Sequence, residues 1–328
     1  MKIFKNDVNV LLEFLKMPLN SSKEIFDKFL TINGAKLVGN KSQECLYIPG
    51  TRKDRVLLVA HVDTVWNNVS NHSVIYDKKS NKVFSPAGYI NNCVQNARQI
   101  DYSKFDHKDP NCLTYGLGAD DRAGVAMLWL LRNSGHSILL TNGEEIGAVG
   151  ARFLADDKQI SDEINSHNLV IELDKMGYKE FKTYQVGSPE LKNYIIDKLN
   201  YKFIDSFSYT DICFLCKKAC GVNMGVGYYN EHKPLEFLDV TQWQNTLNEM
   251  REFCKNDFPC FTFDPKQNFT FNRNNDRGFV LTHYGIGNEL LEGASLDVDF
   301  EEGNYRNIHD INVAQNSTEK EESKDEEK

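Results

Sequence analysis

The sequence predicts an α/β fold, a mostly parallel mixed sheet sandwiched by helices and forming a single catalytic domain. Three observations carry that prediction. Apolar runs of strand length alternate with helical stretches, as they do where crossover helices link parallel strands. The chain has 328 residues and is 41% hydrophobic, enough for one large core. Several apolar runs also finish in acids or histidines, and in such sheets ligands gather at the carboxyl ends of strands.

The opening "MKIFKNDVNVLLEFLKMPL" predicts an amphipathic helix over residues 6–16; Asp7 and Glu13 interrupt the apolar residues, which favours a helix over a signal peptide. A second helix is expected after the cap-like Asn20–Ser22. "ECLYI" alternates like a strand, and "VLLVAHVDTV" (Val56–Val65) follows as a buried one. His61 and Asp63 emerge from it on one face, because side chains two apart on a strand point the same way. An imidazole backed by a carboxylate is how proteins fix the tautomer of a metal-binding histidine, although alone the pair also fits two solvated residues at a strand edge. Residues 66–115 are polar, with short strand signals only, and are expected to form hairpins and a long surface loop.

"LGADDRAGVAMLWLL" predicts a turn and a helix whose Ala123, Gly124 and Ala126 let it lie close on the sheet. "SILLT" and "NLVIELD" read as further strands, with a helix over "AVGARFLADD" between them. The first leads to Glu144 and Glu145, the second ends in Asp174, and a later run, "VNMGVGYYNEH", ends in Glu231 and His232. The catalytic domain is expected over residues 1–258, an irregular C-terminal extension over 259–312 and a disordered acidic tail over 313–328.

A formal charge of −9 argues against nucleic acid or another polyanion as partner. No membrane span is visible, and a cytoplasmic location is expected. Eight cysteines without a secretory signal fit reduced thiols. Cys213, Cys216 and Cys220 of "DICFLCKKAC" have the spacing of one apolar helical face and are expected to be buried free cysteines rather than a zinc or iron-sulfur site.

"HVDTV", "GADDRAG", "NGEEIGAVGA", "LVIELDKMG" and "GYYNEHKPLE" together resemble, in order and character, the motifs of co-catalytic zinc exopeptidases of the M20 and M28 families, which include tripeptidase-type and aminopeptidase-type enzymes. The resemblance spans roughly residues 6–255. It implies the zinc-exopeptidase, phosphorylase/hydrolase-like fold and two divalent metal ions, with zinc the first expectation and manganese or cobalt acceptable to the same ligands. It assigns His61 and Asp174 to one metal, Glu145 and His232 to the other and Asp120 to both, with Asp63 orienting His61 and Glu144 as general base. M20 enzymes usually insert a lid or dimerisation domain before the final histidine. Only 57 residues lie between Asp174 and His232 here, so no such lid fits.

The chemistry accounts for these residue types. A bridging carboxylate holds two cations roughly 3.5–4 Å apart, a shared water there loses a proton readily, and Glu144 can carry that proton to the leaving amine. Alternatives remain at several positions. Asp121 caps the following helix or pairs with Arg122 if Asp120 is the ligand; Glu172, two before Asp174, is the fallback ligand; Glu231 binds a substrate amine or is solvated. Asp211 is spaced from Ser208 like a capping box, its expected role ahead of a substrate contact. The remaining histidines, 72, 107, 136, 167, 283 and 309, are expected at the surface.

The expected activity is a two-metal hydrolase of amide or peptide bonds, an aminopeptidase or di/tripeptidase, acting on a peptide or amino-acid-derived small substrate. The alternatives are an N-acyl amino acid deacylase or carboxypeptidase, and an inactive binding protein on the same fold. The sequence leaves the oligomeric state open.

Overall fold

A computed structural model describes residues 4–66, 73–105, 116–205 and 208–263. The expected acidic tail, the expected extension from residue 264 onward, and His72, His107, His283 and His309 lie outside the described residues.

Two helices open the chain, α1 (Lys5–Leu15) and α2 (Lys23–Phe29). Val8, Leu11 and Leu15 form the buried stripe of α1, at the spacing of one helical face. Strands β1 (Lys36–Val38), β2 (Cys45–Ile48) and β3 (Leu57–His61) follow. After β4 (Ile75–Asp77), β5 (Lys82–Phe84) and α3 (Pro86–Gln95) come α4 (Ala119–Leu131), β6 (Ser137–Thr141), α5 (Val149–Asp156) and α6 (Lys158–Ile164). Next are β7 (Val170–Lys175), β8 (Tyr178–Lys182), α7 (Pro189–Leu199), β9 (Lys202–Phe203) and α8 (Ile212–Leu215). The described chain closes with β10 (Gly221–Val226), β11 (Tyr228–Tyr229), β12 (Phe237–Asp239) and α9 (Val240–Phe253).

The main sheet has eight strands in the order β1-β2-β6-β3-β7-β10-β8-β9. Its centre, β6-β3-β7-β10, is parallel, and β2 and β8 flank it antiparallel. All five residues of β3 are buried, as expected of a strand covered on both faces. Leu58 and Ala60 pack with α1, α4 and α9, while Leu57 and Val59 alternate onto the opposite side. The small residues of α4 do what the sequence predicts. A Cβ added at Gly124 would stand 2.0 Å from the Leu173 carbonyl oxygen, so only glycine lets the helix lie this close on β7. The packed chain continues past α9: Phe261 is buried, its N–H donates to the Asn168 carbonyl and its own carbonyl accepts from Cys220.

Four expectations need correction. Residues 66–115 supply the β4–β5 hairpin but not merely a surface loop. Ser85 caps α3 through the Gly88 N–H with Pro86 at the first turn, and the buried Tyr89 and Cys93 pack on Ile75 and Phe84. That hairpin joins β12 and β11 in a second, four-stranded sheet. His136 and His167 are buried rather than at the surface, because each has two partners: His136 accepts the Val56 N–H and donates to the Cys254 carbonyl, and His167 donates to the Ile164 carbonyl and accepts from Ser137. Burial lowers both pKa values, His167 to about 4. Cys216 and Cys220 are buried free thiols, yet the three cysteines do not share a helical face. Helix α8 is only four residues long and contains Cys213 alone of the three. The fourth correction, at Asp211, belongs to the site.

Between Asp174 and His232 the described chain makes β8, α7, β9, α8, β10 and β11, so the strands there belong to the two sheets and no separate lid occurs among the described residues. No helix among those residues is long and apolar enough to cross a membrane.

Candidate metal centre

The parallel registers bring the strand ends together. His61 is paired across from Thr141, so the last residue of β3 sits beside the last residue of β6, and the loop after β6 carries Glu144 and Glu145. Asp174 lies near the end of β7, the other neighbour of β3. Asp120 lies in the first turn of α4, where Asp120 and Asp121 depart from helical φ/ψ and their mutual peptide bond is cis. His232 departs from the expectation of a main-sheet strand end. β10 passes into β11 of the second sheet, and a turn with left-handed Asn230 (φ 59°) and His232 (φ 61°) returns the imidazole to the centre.

Asp120 is the hub. Its Oδ1 is 3.0 Å from His61 Nε2 and its Oδ2 is 3.0 Å from His232 Nε2. His61 Nε2 also lies 3.3 Å from Asp174 Oδ1, and His232 Nε2 lies 3.0 Å from Glu145 Oε2. All five residues assigned to metals are therefore joined through one carboxylate. Asp63 faces His61 Nδ1 at 3.5 Å through its carboxylate, while its backbone carbonyl is nearer at 3.1 Å. The Asp63 carboxylate has a second task that the spacing did not reveal: it accepts the N–H groups of Glu144 and Glu145, both at 3.1 Å, and so fixes the loop that presents the two glutamates.

Hydrogen bonds hold these side chains in turn. The Thr210 hydroxyl donates to Asp174 Oδ2 at 3.2 Å, the Tyr228 hydroxyl donates to the Asp174 main-chain carbonyl at 2.6 Å and lies 3.2 Å from its Oδ1, and Asn223 Oδ1 accepts the Asp174 N–H. Glu236, buried in front of β12, accepts the N–H groups of Gly118 (3.0 Å) and Asp120 (3.1 Å) and holds the loop that carries the hub. Asp121 caps α4 through the Gly124 N–H and also accepts the His61 N–H. Arg122 is not its ion-pair partner; its guanidinium donates to the carbonyls of Pro18 and Ser21. Asp211 does not form a capping box with Ser208, because it is fully buried and accepts a hydrogen bond from the Thr141 hydroxyl at the end of β6, while Ser208 accepts from Lys182. A tertiary partner wins over the local pattern.

Buried carboxyls crowd around the two imidazoles and shift one another. Burial works against protonating His61, but Asp174, Asp120 and Asp63 outweigh it and hold its pKa well above the usual range. Hydrogen bonds that His232 donates to the Asp120 and Glu145 carboxylates push its pKa to about 11. Burial raises the carboxyls: Glu144 to about 9, with Asp174, Asp211 and Glu145 adding to it, and Asp174 to about 6. Burial and nearby Asp174 and Asp211 also lift Glu172 well above the carboxylate range. Among the described residues, the buried Oε1 of Glu145 has no hydrogen-bond partner.

These residues fit divalent cations. The donors are imidazole nitrogens and carboxylate oxygens, the set that suits zinc and accepts manganese or cobalt. Their spacings of 3.0–3.3 Å match the roughly 3.3 Å edge of a tetrahedron whose corners lie about 2.0 Å from zinc. His61, Asp120 and Glu145 form one compact triad, and His61, Asp121 and Asp174 another, which leaves Asp121 within reach as a ligand. A cleft of about 370 Å³ opens beside Asp63, lined in part by Leu19, Ser21, Lys41, Thr64 and Asn142.

No protein-family model matches the chain, and no curated protein matches its sequence. Its fold does match solved structures. The aminopeptidase PepT from Bacillus cereus ATCC 10987 superposes with a TM-score of 0.52 at 14% identity, over 76% of this chain and 97% of that one. A tripeptidase from Staphylococcus aureus subsp. aureus Mu50 gives a TM-score of 0.50 at 14% identity, with the same coverage. At that identity the likeness establishes the fold, which this chain shares with an aminopeptidase and a tripeptidase.

Proposed function

We propose that the chain is a two-metal hydrolase of short peptides, an aminopeptidase or di/tripeptidase of the M20/M28 type without the usual lid, whose catalytic unit lies within residues 1–258. The observation that carries this reading is the Asp120 carboxylate, with one oxygen against His61 and the other against His232. In this reading His61, Asp174 and Asp120 hold one divalent ion, and His232, Glu145 and Asp120 hold the other. Bound there, zinc, manganese or cobalt would supply Lewis acidity, acidifying water and polarising the amide carbonyl. Glu144 takes the proton from the attacking water on its carboxylate and passes it to the leaving amine nitrogen. Asp63 orients His61 and, through the two amide N–H groups, keeps Glu144 facing the reaction while Glu145 faces its ion. Glu236 keeps Asp120 between the histidines.

The test is hydrolysis of free-amine di- and tripeptides by the purified full chain, stripped with chelator and reloaded with zinc, manganese or cobalt. Metal-restored release of amino acids supports the reading. Hydrolysis of N-acyl amino acids alone would move it to a deacylase, and activity that survives full chelation would overturn it.

A further inference from the structure

Two consecutive residues in the turn between β8 and α7, Tyr184 (φ 43°) and Gln185 (φ 69°), adopt the left-handed conformation that bulky side chains rarely hold. The turn is fixed from several sides. The Val186 N–H donates to the Thr183 carbonyl at 2.8 Å, and the Gly221 N–H of β10 donates to the Val186 carbonyl at 2.8 Å. A Cβ added at Gly187 would stand 2.6 Å from Thr183 Cβ, so the turn is also closed tightly on itself. Strain of this kind persists only where its surroundings over-determine it, and it gathers at functional sites. What this turn delivers is the Tyr184 phenol. Its oxygen accepts a hydrogen bond from Asn223 Nδ2 at 3.3 Å, and Oδ1 of the same amide accepts the Asp174 N–H at 3.0 Å.

The backbone at Asp174 needs such support. In the parallel pairing of β10 with β7, Asn223 stands opposite Glu172 and Gly225 opposite Lys175, so Leu173 and Asp174 together face Met224 alone. This is a bulge, the device by which a strand re-aims a side chain, and the Asp174 N–H goes to the Asn223 side chain there. Asn223 is 1% exposed, so water cannot readily replace either of its partners. We propose that Tyr184 is a positioning residue for the ion held by His61 and Asp174. By accepting from Asn223 it fixes the amide, the amide fixes the Asp174 backbone at the bulge, and the carboxylate is thereby aimed at His61. This inference rests on the two-metal reading above and extends it to a residue two contacts away from the ion. The relay runs from the turn after β8 through β10 to β7, whereas Glu145 and His232 come from the loop after β6 and the turn after β11. Its loss should therefore be felt at one ion and not at the other.

The experiment titrates zinc into the metal-stripped full chain against a competing chelator and reads the two dissociation constants. Wild type is compared with Tyr184→Phe, which keeps the ring and removes the oxygen. One constant should rise by about tenfold, the low end of what losing an outer partner of a metal ligand costs, while the other stays within about twofold. Made on an Asn223→Ala background, Tyr184→Phe should add less than about twofold, because the amide through which it acts is gone. Two unchanged constants, equal weakening of both, or a full tenfold further loss on the Asn223→Ala background overturns the inference and leaves the two-metal reading standing. A wild-type chain that binds no zinc overturns that reading and this one with it.

Discussion

Asp63 offers the most quantitative perturbation, because its two roles are visible as separate contacts. Its carboxylate accepts the Glu144 and Glu145 N–H groups, both at 3.1 Å, and stands 3.5 Å from His61 Nδ1. A hydrogen bond to a charged acceptor contributes about 1.5–3 kcal/mol. The Asp63 side chain is 18% exposed, so water can partly replace it and the lower figure applies. Removing both acceptors in Asp63→Ala then releases the glutamate loop at a cost of about 3 kcal/mol, or roughly a hundredfold in the population of the productive arrangement. In Asp63→Asn one amide oxygen still accepts one N–H and the amide nitrogen cannot accept the other, so about half the effect, roughly tenfold, is expected. The assay is kcat/KM on a leucyl tripeptide at saturating zinc, with bound metal measured on the same samples. A graded loss, alanine below asparagine below wild type, is the expected outcome. If both variants stay within about twofold of wild type, Asp63 does not organise the loop and the reasoning from these contacts is wrong.

Three further outcomes are expected. Glu144→Gln should lower kcat by at least about a hundredfold while zinc content is unchanged, read by steady-state kinetics and elemental analysis; normal turnover would exclude proton transfer by Glu144. Glu236→Ala leaves the buried N–H groups of Gly118 and Asp120 without their acceptor and should destabilise the fold by about 2–4 kcal/mol in chemical denaturation, with weaker zinc binding; an unchanged midpoint would show that other groups hold the Asp120 loop. The pH dependence of the metal-stripped protein has a defined sign. Glu144 and Glu236 have folded pKa values raised to about 9 and about 8, and His232 to about 11, each above its unfolded value. Groups raised on folding stabilise fully below their unfolded pKa and lose that contribution as pH rises through the folded one. Asp63 and Asp120 are shifted down, but their contribution changes only below about pH 4. His136 and His167, lowered on folding, act in the opposite direction but only below about pH 6.5, so the melting temperature in chelator should fall between about pH 7 and 9, and zinc should flatten the slope; a flat profile there in chelator would contradict these environments.

The site was legible in the sequence where chemistry and local pattern coincide. His61, Glu144, Glu145 and Asp174 follow apolar runs whose length and character announce strands, and parallel strands set their ends in a row whatever their order in the sheet. Asp120 and His232 were legible from motif order, since neither lies at the end of a main-sheet strand. What local pattern could not supply was the tertiary partner. Ser208 and Asp211 have the spacing of a capping box, but Asp211 is bonded to Thr141 from another strand. His136 and His167 look like loop residues until their backbone and serine partners are known. Glu236 stands in an ordinary polar stretch, and its role depends on Gly118 and Asp120, more than a hundred residues upstream. Helix α3 did carry a readable signal in Ser85-Pro86 ahead of Tyr89 and Cys93, which the polar surroundings of residues 66–115 obscured.

The most direct measurement of the central claim is an anomalous difference map from crystals of the zinc-loaded full chain. Two peaks flanking the Asp120 carboxylate are predicted, one bonded to His61 and Asp174 and the other to Glu145 and His232. No peak at Asp120, or a single ion that touches only one of the two histidines, would contradict a two-metal centre.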